Sequence, residues 1–443
     1  MNTKPTKQES PKKLYPKQEN HAEVLATALG NFRSALDGSA TGTGKTIVAA
    51  KLAADNGLPT LVVCPKSGIT MWSRELKGQG CKNFDVVNYE KLRTGKTKFG
   101  TWADSMNKTW LWKLSSTEYL LAWDEVQKAK GMNTQNARML WSAKPYYNLC
   151  LSATAAENPT DMKALGSILG LFNMRNFWFW AKQHGCRNGY FGGLEFSGED
   201  TDLDKIHKAI YPMHGSRLSL ADMADHFTET QIITTPIDFG AEVKDLYAEM
   251  EHELGELAEK KSYDSSDNAL TIRLRARQKV ELLKVPTMLE MTLDLLAERR
   301  SVVLFVNFTQ TLEALKERLS EYPTGIVSGK YVKERQKYVD EFALDKLRVM
   351  ICNIEAGGTL LNLQDQRGEY PRTSLISPSD KAMDVLQCIG RIHRAGGKTP
   401  SQQHVLFAAG TIEEEVKENC DDKIKNIGIF NEGLTDPKIE ASV

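Results

Sequence analysis

Lys45 has the most specific chemical setting in this chain, inside the stretch Ser39-Ala-Thr-Gly-Thr-Gly-Lys-Thr46. A short apolar run, Ala35-Leu36, leads into it, and Ile47-Val-Ala-Ala-Lys-Leu-Ala-Ala54 follows with a helical pattern. That order predicts a strand, a glycine-containing turn and a helix start. Such a turn aims successive backbone N–H groups at one point, where the helix N-terminus adds partial positive charge. Thr41, Gly42, Thr43 and Gly44 are the expected cradle, and the two glycines let a phosphate approach the backbone closely. Lys45 would neutralise β/γ oxygens, and the Thr46 hydroxyl would help hold a magnesium ion. The phosphate-loop pattern asks for glycine at position 39, where this chain has serine.

Two adjacent acids supply what such a loop needs. Tyr119-Leu-Leu-Ala-Trp123 reads as a buried strand and runs directly into Asp124-Glu125. Asp124 could hold magnesium, and Glu125 could polarise the water that attacks a γ-phosphate. Gln127 follows two residues later, and the strand Tyr147-Asn-Leu-Cys-Leu-Ser-Ala-Thr154 ends in the hydroxyls of Ser152 and Thr154. Strand ends of this kind bind ligands in open α/β sheets, so these three residues are candidates for linking the acids to motion elsewhere. Upstream, Gln18 has the donor and acceptor needed to read an adenine edge, although a surface glutamine is the simpler reading.

The elements that would position these residues alternate between strand and helix. Thr60-Leu-Val-Val-Cys-Pro65 and Phe84-Asp-Val-Val-Asn-Tyr89 are further buried strands, which indicates a parallel α/β sheet. From about residue 158 to 296 helical periodicity takes over. Phe177-Trp-Phe-Trp180 reads as a core helix rather than a base-stacking cluster, and residues 185–202 read as a loop. Thr230 to Asp238 reads as an extended interdomain crossing. Arg273, Arg277 and Lys279 form a stripe that could meet phosphates or simply be a solvated face. A second α/β pattern begins at Ser301-Val-Val-Leu-Phe-Val-Asn-Phe308 and continues through strands near 325–329, 347–354, 373–377 and 404–408. It has no phosphate loop of its own.

Bulk properties bound the reading. At 443 residues two or three domains are expected. The chain is 41% hydrophobic and 26% charged, as in soluble globular proteins, and its formal net charge is zero. Any polyanion site must therefore be a local patch. The lysine-rich start does not read as a signal peptide, and no apolar run approaches a membrane span. Seven scattered cysteines without Cys-x-x-Cys argue against a disulfide framework or a zinc site. A cytoplasmic protein without membrane partners is expected.

The motif order resembles that of superfamily two helicases and translocases, most closely the Swi/Snf-like DNA-dependent ATPases, from about residue 14 to 411. Ser39 to Thr46 looks like motif I, and Leu14 to Gln18 is similar to the adenine-reading segment. Asp124-Glu-Val-Gln127 looks like motif II, with glutamine where histidine is usual, and Leu151-Ser-Ala-Thr154 resembles motif III. Gln387-x-x-Gly-Arg-x-His-Arg394 looks like motif VI. Val62-Val-Cys-Pro-Lys with Trp72, Glu75 and Leu76 resembles the Swi/Snf-like motif Ia region, and Ala356-Gly-Gly-Thr-Leu-Leu-Asn-Leu363 its motif V. The chain departs from the pattern before motif VI, where it has Ser377-Pro-Ser-Asp380, and at Asn353 to Glu355.

The resemblance implies two RecA-like parallel-sheet lobes with helical insertions, and ATP with Mg2+ in the cleft between them. The expected division is a disordered tail (1–13), a first lobe (14–230, insertion about 158–228), a second lobe (231–430, insertion about 240–296) and a C-terminal tail (431–443). Lys45, Asp124, Glu125, Gln387, Arg391 and Arg394 are the implied catalytic residues, the two arginines acting as fingers on the γ-phosphate. Gln18, Thr41 to Thr46 and Gly358 would bind the nucleotide, Thr46 and Asp124 the metal. Gln127, Ser152 and Thr154 would couple. Pro65, Lys66, Asn88, Asn307, Phe308, Gly357 and Thr359 would contact nucleic acid. The implied activity is ATP-driven movement on a nucleic acid, duplex DNA with single strands as a second substrate, by a monomer with no assigned protein partner. A DEAD/DEAH-type RNA helicase, a restriction or recombination motor subunit, and a non-hydrolysing scaffold are the alternatives.

Overall fold

Continuous apolar runs at the expected strands build two all-parallel sheets whose central strands are buried on both faces. The computed structural model describes residues 11–104, 106, 108–131, 133–189, 192–239, 252, 265–354, 361–379 and 381–434. The chain divides into two compact units, Met1–Ala224 with Ile424–Val443, and Asp225–Lys423.

The first unit begins with α1 (Pro16–Phe32), β1 (Ser34–Asp37), α2 (Lys45–Asn56) and β2 (Thr60–Cys64). Then come α3 (Ile69–Gly78), β3 (Phe84–Asn88), α4 (Tyr89–Arg93) and a hairpin of β4 (Gly100–Trp102) and β5 (Trp110–Trp112). β6 (Leu120–Asp124), α5 (Gln135–Ser142), β7 (Tyr147–Leu151), α6 (Met162–Leu169) and α7 (Phe177–Gln183) follow. A second hairpin, β8 (Cys186–Asn188) and β9 (Leu194–Phe196), precedes α8 (Asp200–Ile210) and β10 (Gly215–Ser216). The sheet order is β10-β1-β7-β6-β2-β3.

Strand periodicity distributes the core. In β2, Leu61 and Val63 join one apolar layer while Val62 and Cys64 join the other. β6 repeats this, with Leu121 and Trp123 on one side and Leu120 and Ala122 on the opposite one. A parallel sheet covered on both faces needs apolar residues at every position, which is why these strands read as continuous runs.

The second unit holds β11 (Thr230–Ile237), β12 (Ser301–Val306), β13 (Thr324–Val327), β14 (Val349–Asn353), β15 (Arg372–Ile376) and β16 (Ser401–Ala408), in the order β11-β16-β15-β12-β14-β13. Val302, Leu304 and Val306 of β12 face one layer, and Val303 and Phe305 the other. The helix Ser265–Leu283 delivers Glu281 to the end of β12, where its carboxylate accepts the backbone N–H groups of Asn307 and Phe308 at 3.0–3.1 Å. Lys284 is fully buried against Glu413 at 2.8 Å.

The two parallel α/β sheets are those expected. Several details differ. Residues 185–202 are not simply a loop, because they contain the β8–β9 hairpin and the start of α8. Thr230–Ile237 is no mere crossing but a strand paired along its whole length with β16. The units part a few residues before the expected 230/231, and residues 424–434 pack with the first unit rather than ending the second lobe, while 435–443 lie outside the described residues. Phe430 is fully buried in the first core, and Asn431 Nδ2 donates to Ala153 O at 2.8 Å. Of the expected N-terminal tail, residues 1–10 lie outside the described residues, while Lys12 meets Glu75 at 2.6 Å.

Candidate nucleotide site

The stretch Ser39–Thr46, expected to be a phosphate loop, joins β1 to α2, and its backbone requires glycine at two places. Gly42 and Gly44 have φ of 90° and 98°, which side-chain-bearing residues rarely adopt. A Cβ on Gly44 would also stand 2.5 Å from Gln18 Nε2. Lys45 is the first residue of α2, and its Nζ donates to the carbonyls of Ser39 (2.7 Å) and Ala40 (3.1 Å). Thr43 is buried and donates its hydroxyl to Ala40 O, whereas Thr41 and Thr46 are half-buried.

Gln18 sits at this loop rather than on the open surface. It is 3% exposed, its Oε1 accepts the Tyr15 N–H, and its Nε2 donates to Thr43 O at 2.7 Å. The first of these bonds is half of a capping box, which fixes the side chain at the start of α1. The residue expected to read the base therefore also holds the tip of the phosphate loop.

Asp124 ends β6 and is buried. Trp72, on the buried face of α3, donates its indole N–H to Asp124 Oδ2 at 2.8 Å, and the Tyr89 hydroxyl donates to the Asp124 carbonyl at 3.0 Å. Burial, and then the neighbouring Glu125, push the Asp124 carboxyl up to about 7, while the Trp72 hydrogen bond and Lys45 pull the other way. Glu125 takes the left-handed conformation, with φ of 54°. Backbone strain of this kind in a non-glycine residue costs on the order of 1–3 kcal/mol and concentrates at functional sites.

From Glu125 a chain of hydrogen bonds crosses to the next strand. Gln127 Nε2 donates to Glu125 Oε2 at 2.5 Å, Ser152 Oγ to Gln127 Oε1 at 2.7 Å, and Thr154 N to Ser152 Oγ at 2.9 Å. Ser152 N also donates to Asp37 O at 3.1 Å, tying the end of β7 to the end of β1. The glutamine at position 127 is thus a two-ended connector, donating to the acid and accepting from the serine.

The second-unit candidates lie on and beside the helix Ala382–Ile392. Gln387 and Arg391 are buried on it. Arg394 follows its end and donates Nε to Gly390 O at 2.9 Å and Nη1 to Asn362 Oδ1. Gly357, Gly358 and Thr359 lie outside the described residues. Among the expected strand contacts, Lys66 is exposed and Pro65 is buried beside it. Asn88 is buried and caps α4, its Oδ1 accepting Lys91 N at 2.7 Å. Asn307 Nδ2 donates to Glu281 Oε2 and Pro378 O, and Asn307 O accepts from Asn353 Nδ2 at 2.8 Å. Asn353, the first of the residues that replace the usual hydroxyls ahead of the double glycine, thereby has a partner in the β12 end.

Residue-by-residue reading overlooked His21, Tyr89, Arg217 and Glu281. Arg217 donates to Gly38 O at 3.1 Å, just ahead of the phosphate loop. The one available signal was for His21, three residues after Gln18 and so on the same face of α1 as Ala22 and Leu25.

No family model matches the chain. It is 29% identical, over 96% of its length, to a protein of Acanthamoeba polyphaga mimivirus described as an ATP-dependent RNA helicase, L364, and spans 85% of that protein. It is 23% identical over 81% of its length to the ATP-dependent helicase/translocase YwqA of Bacillus subtilis, of which it spans 41%. A RAD54-like DNA repair and recombination protein of Drosophila pseudoobscura pseudoobscura is 29% identical over 36% of this chain, which covers 21% of the relative. Among solved structures, the Sulfolobus solfataricus SWI2/SNF2 ATPase core in complex with dsDNA aligns over 97% of this chain and 96% of its own, at 17% identity and a TM-score of 0.37. The relatives are described as helicases, a helicase/translocase and RAD54-like DNA repair and recombination proteins, the class of nucleic-acid motor that the motif order resembles.

Proposed function

We propose that this chain is an ATP-dependent nucleic-acid motor of the Swi/Snf type, hydrolysing ATP to move on duplex DNA. The observation that carries the reading is the hydrogen-bonded series Glu125–Gln127–Ser152–Thr154 beside a phosphate loop whose lysine heads a helix. A binding scaffold has no use for a strained acid wired to the next strand end. A nucleotide hydrolase that must report the γ-phosphate to the rest of its fold does.

Each residue then has a task. The backbone from Thr41 to Gly44 cradles phosphates, and Lys45 exchanges its loop carbonyls for phosphate oxygens. Glu125 takes a proton from the attacking water, and Gln127 passes the resulting change in its hydrogen bond to Ser152. Arg391 and Arg394 supply positive charge to the transition state from the second unit, and Gln387 orders the helix that bears Arg391. Loss of the γ-phosphate removes the charged ligand that distinguishes the ATP state, a change that the series from Glu125 to Thr154 would report.

Mg2+ fits the donor set. Asp124 and Thr46 offer hard oxygen ligands, and magnesium is held by one or two carboxylates plus substrate phosphates rather than by an all-protein cage. The burial that drives Asp124 up to about 7 is a penalty a bound cation would relieve. When bound, the ion would neutralise charge on the β and γ oxygens.

The polymer contacts are proposed at Pro65, Lys66, Asn307, Phe308, Gly357 and Thr359, with Asn88 acting through its cap on α4. These positions would follow a backbone rather than bases, so sequence preference should be slight. RNA is the second reading, favoured by the description of the mimivirus relative. Steady-state ATP hydrolysis without polymer and with duplex DNA, single-stranded DNA or RNA separates the cases. Stimulation by duplex DNA supports the proposal, stimulation by RNA alone replaces it, and no turnover under any condition rejects the motor.

A further inference from the structure

We propose that His21, Asp37 and Ser39 form a buried positioning set that holds the base of the phosphate loop, in place of the glycine that Ser39 replaces. The proposal rests on the reading that this loop binds ATP. All three side chains are buried, at 3%, 0% and 1% exposure. His21 Nε2 lies 3.1 Å from Asp37 Oδ1 and 3.2 Å from Ser39 Oγ, and Nδ1 lies 2.7 Å from Ser216 Oγ. One imidazole thus joins α1, the end of β1, the first loop residue and β10.

The serine hydroxyl is consumed internally. It accepts the Leu218 N–H at 3.0 Å while meeting His21, and the Ser39 N–H donates to Asp37 Oδ1 at 3.0 Å. A side chain at a glycine position is tolerable when it is anchored away from the ligand. The anchoring reaches the chemistry in one step, because Lys45 Nζ donates to the Ser39 carbonyl at 2.7 Å. Any displacement of Ser39 displaces a partner of the catalytic lysine.

Electrostatics support the same set. Burial alone pushes the Asp37 carboxyl upward, but the charge and hydrogen bond of His21, with Lys45 behind them, hold it below its ordinary value. Asp37 Oδ2 has no hydrogen-bond partner among the described residues, so His21 is its chief neutralising neighbour. Deleting the imidazole would leave a buried carboxylate undercompensated at the mouth of the loop. Gln18, one turn earlier on α1, holds the loop's tip through Thr43 O, so a single 17-residue helix grips both ends. His21 touches no reacting atom and is a positioning residue.

The test uses the full chain, with Mg-ADP titrated calorimetrically and ATP turnover measured as KM and kcat separately. His21→Ala and Ser39→Ala should each weaken ADP binding and raise KM by about tenfold, with a smaller change in kcat. The double variant should be no worse than the weaker single one, because both act through one network. His21→Asn, whose amide can still donate to Asp37, should recover part of the loss. Wild-type ADP affinity in Ser39→Ala, or full additivity in the double variant, overturns the proposal. Should His21→Ala fail to fold, Ser39→Ala, which removes one oxygen, decides alone. Absence of ADP and ATP binding by the unmodified chain would reject the nucleotide reading itself, and the positioning set with it.

Discussion

Asp124 shows how far one residue's environment can be set against its own charge. Burial and then Glu125 raise its carboxyl to about 7, so in the folded chain the ionised form is disfavoured. The associated loss of stability is absent below the unfolded value of 3.8, grows as pH rises toward 7, and is complete above it. Asp124→Asn keeps an oxygen for the Trp72 N–H and removes the charge. It should raise the melting midpoint of the first unit by roughly 2–4 °C at pH 8 and hardly at all near pH 4, while losing hydrolysis. Calorimetric scans at the two pH values check this, and equal midpoints at pH 8 would contradict it. Glu125→Gln should bind ATP with near wild-type affinity and turn it over at least about a hundredfold more slowly. Normal turnover would remove Glu125 from the base role. The types and spacing of these acids were legible in the sequence. Gln127, Ser152 and Thr154 were legible as linking candidates, but not the order of their bonds, since nothing local says that Gln127 donates to Glu125 and accepts from Ser152.

At the scale of elements, the strands were the most legible part of the fold. β2, β6, β12 and β14 are continuous apolar runs because both faces of each sheet are covered. The short hairpins were not legible. Trp110, Leu111 and Trp112 pair with only three residues of β4, too few to register as a period. The helix Ser265–Leu283 was legible as a helix with a basic stripe, of which Arg273 and Lys279 are exposed while Arg277 is half-buried. Its end instead supplies Glu281 to the β12 terminus, and the next residue but two, Lys284, makes a buried ion pair with Glu413. Lys284→Met should destabilise the second unit by about 3–5 kcal/mol, because Glu413 would stay buried without its partner. Lys284→Met with Glu413→Gln, which keeps an acceptor for the Ala408 N–H, should recover part of that. Urea unfolding followed by tryptophan-independent far-UV signal measures both, and a single variant as stable as wild type would falsify the account.

For the whole molecule, the proposed motor places its nucleotide loop and its arginines in different units, joined by the chain at 224/225 and again at 423/424. Arg394→Ala should therefore separate two properties that a single-site enzyme would lose together. ADP binding should stay within about twofold of wild type, and ATP turnover should fall by about a thousandfold or more. Retained turnover in the folded variant would take Arg394 out of the finger role. Net charge of zero gives no general attraction to polyanions, so stimulation by DNA should be weaker in salt only to the extent of the few local phosphate contacts.

By itself the sequence determined the glycine turn before Lys45, the adjacent acids 124 and 125, the two runs of parallel strands and the spacing of Gln387, Arg391 and Arg394. Each is encoded by residues close together, through glycine freedom, apolar period or fixed spacing. Only the tertiary structure decided that Ser39 is anchored by His21, that Gln127 bridges Glu125 to Ser152, and that Phe430 and Asn431 return to the first core. These contacts span 18, 25 and, for Asn431 with Ala153, 278 positions. No local period carries such information, because the partners meet only once β10, β1, β7 and β6 lie side by side and the end of the helix Ile412–Glu432 has packed beside them.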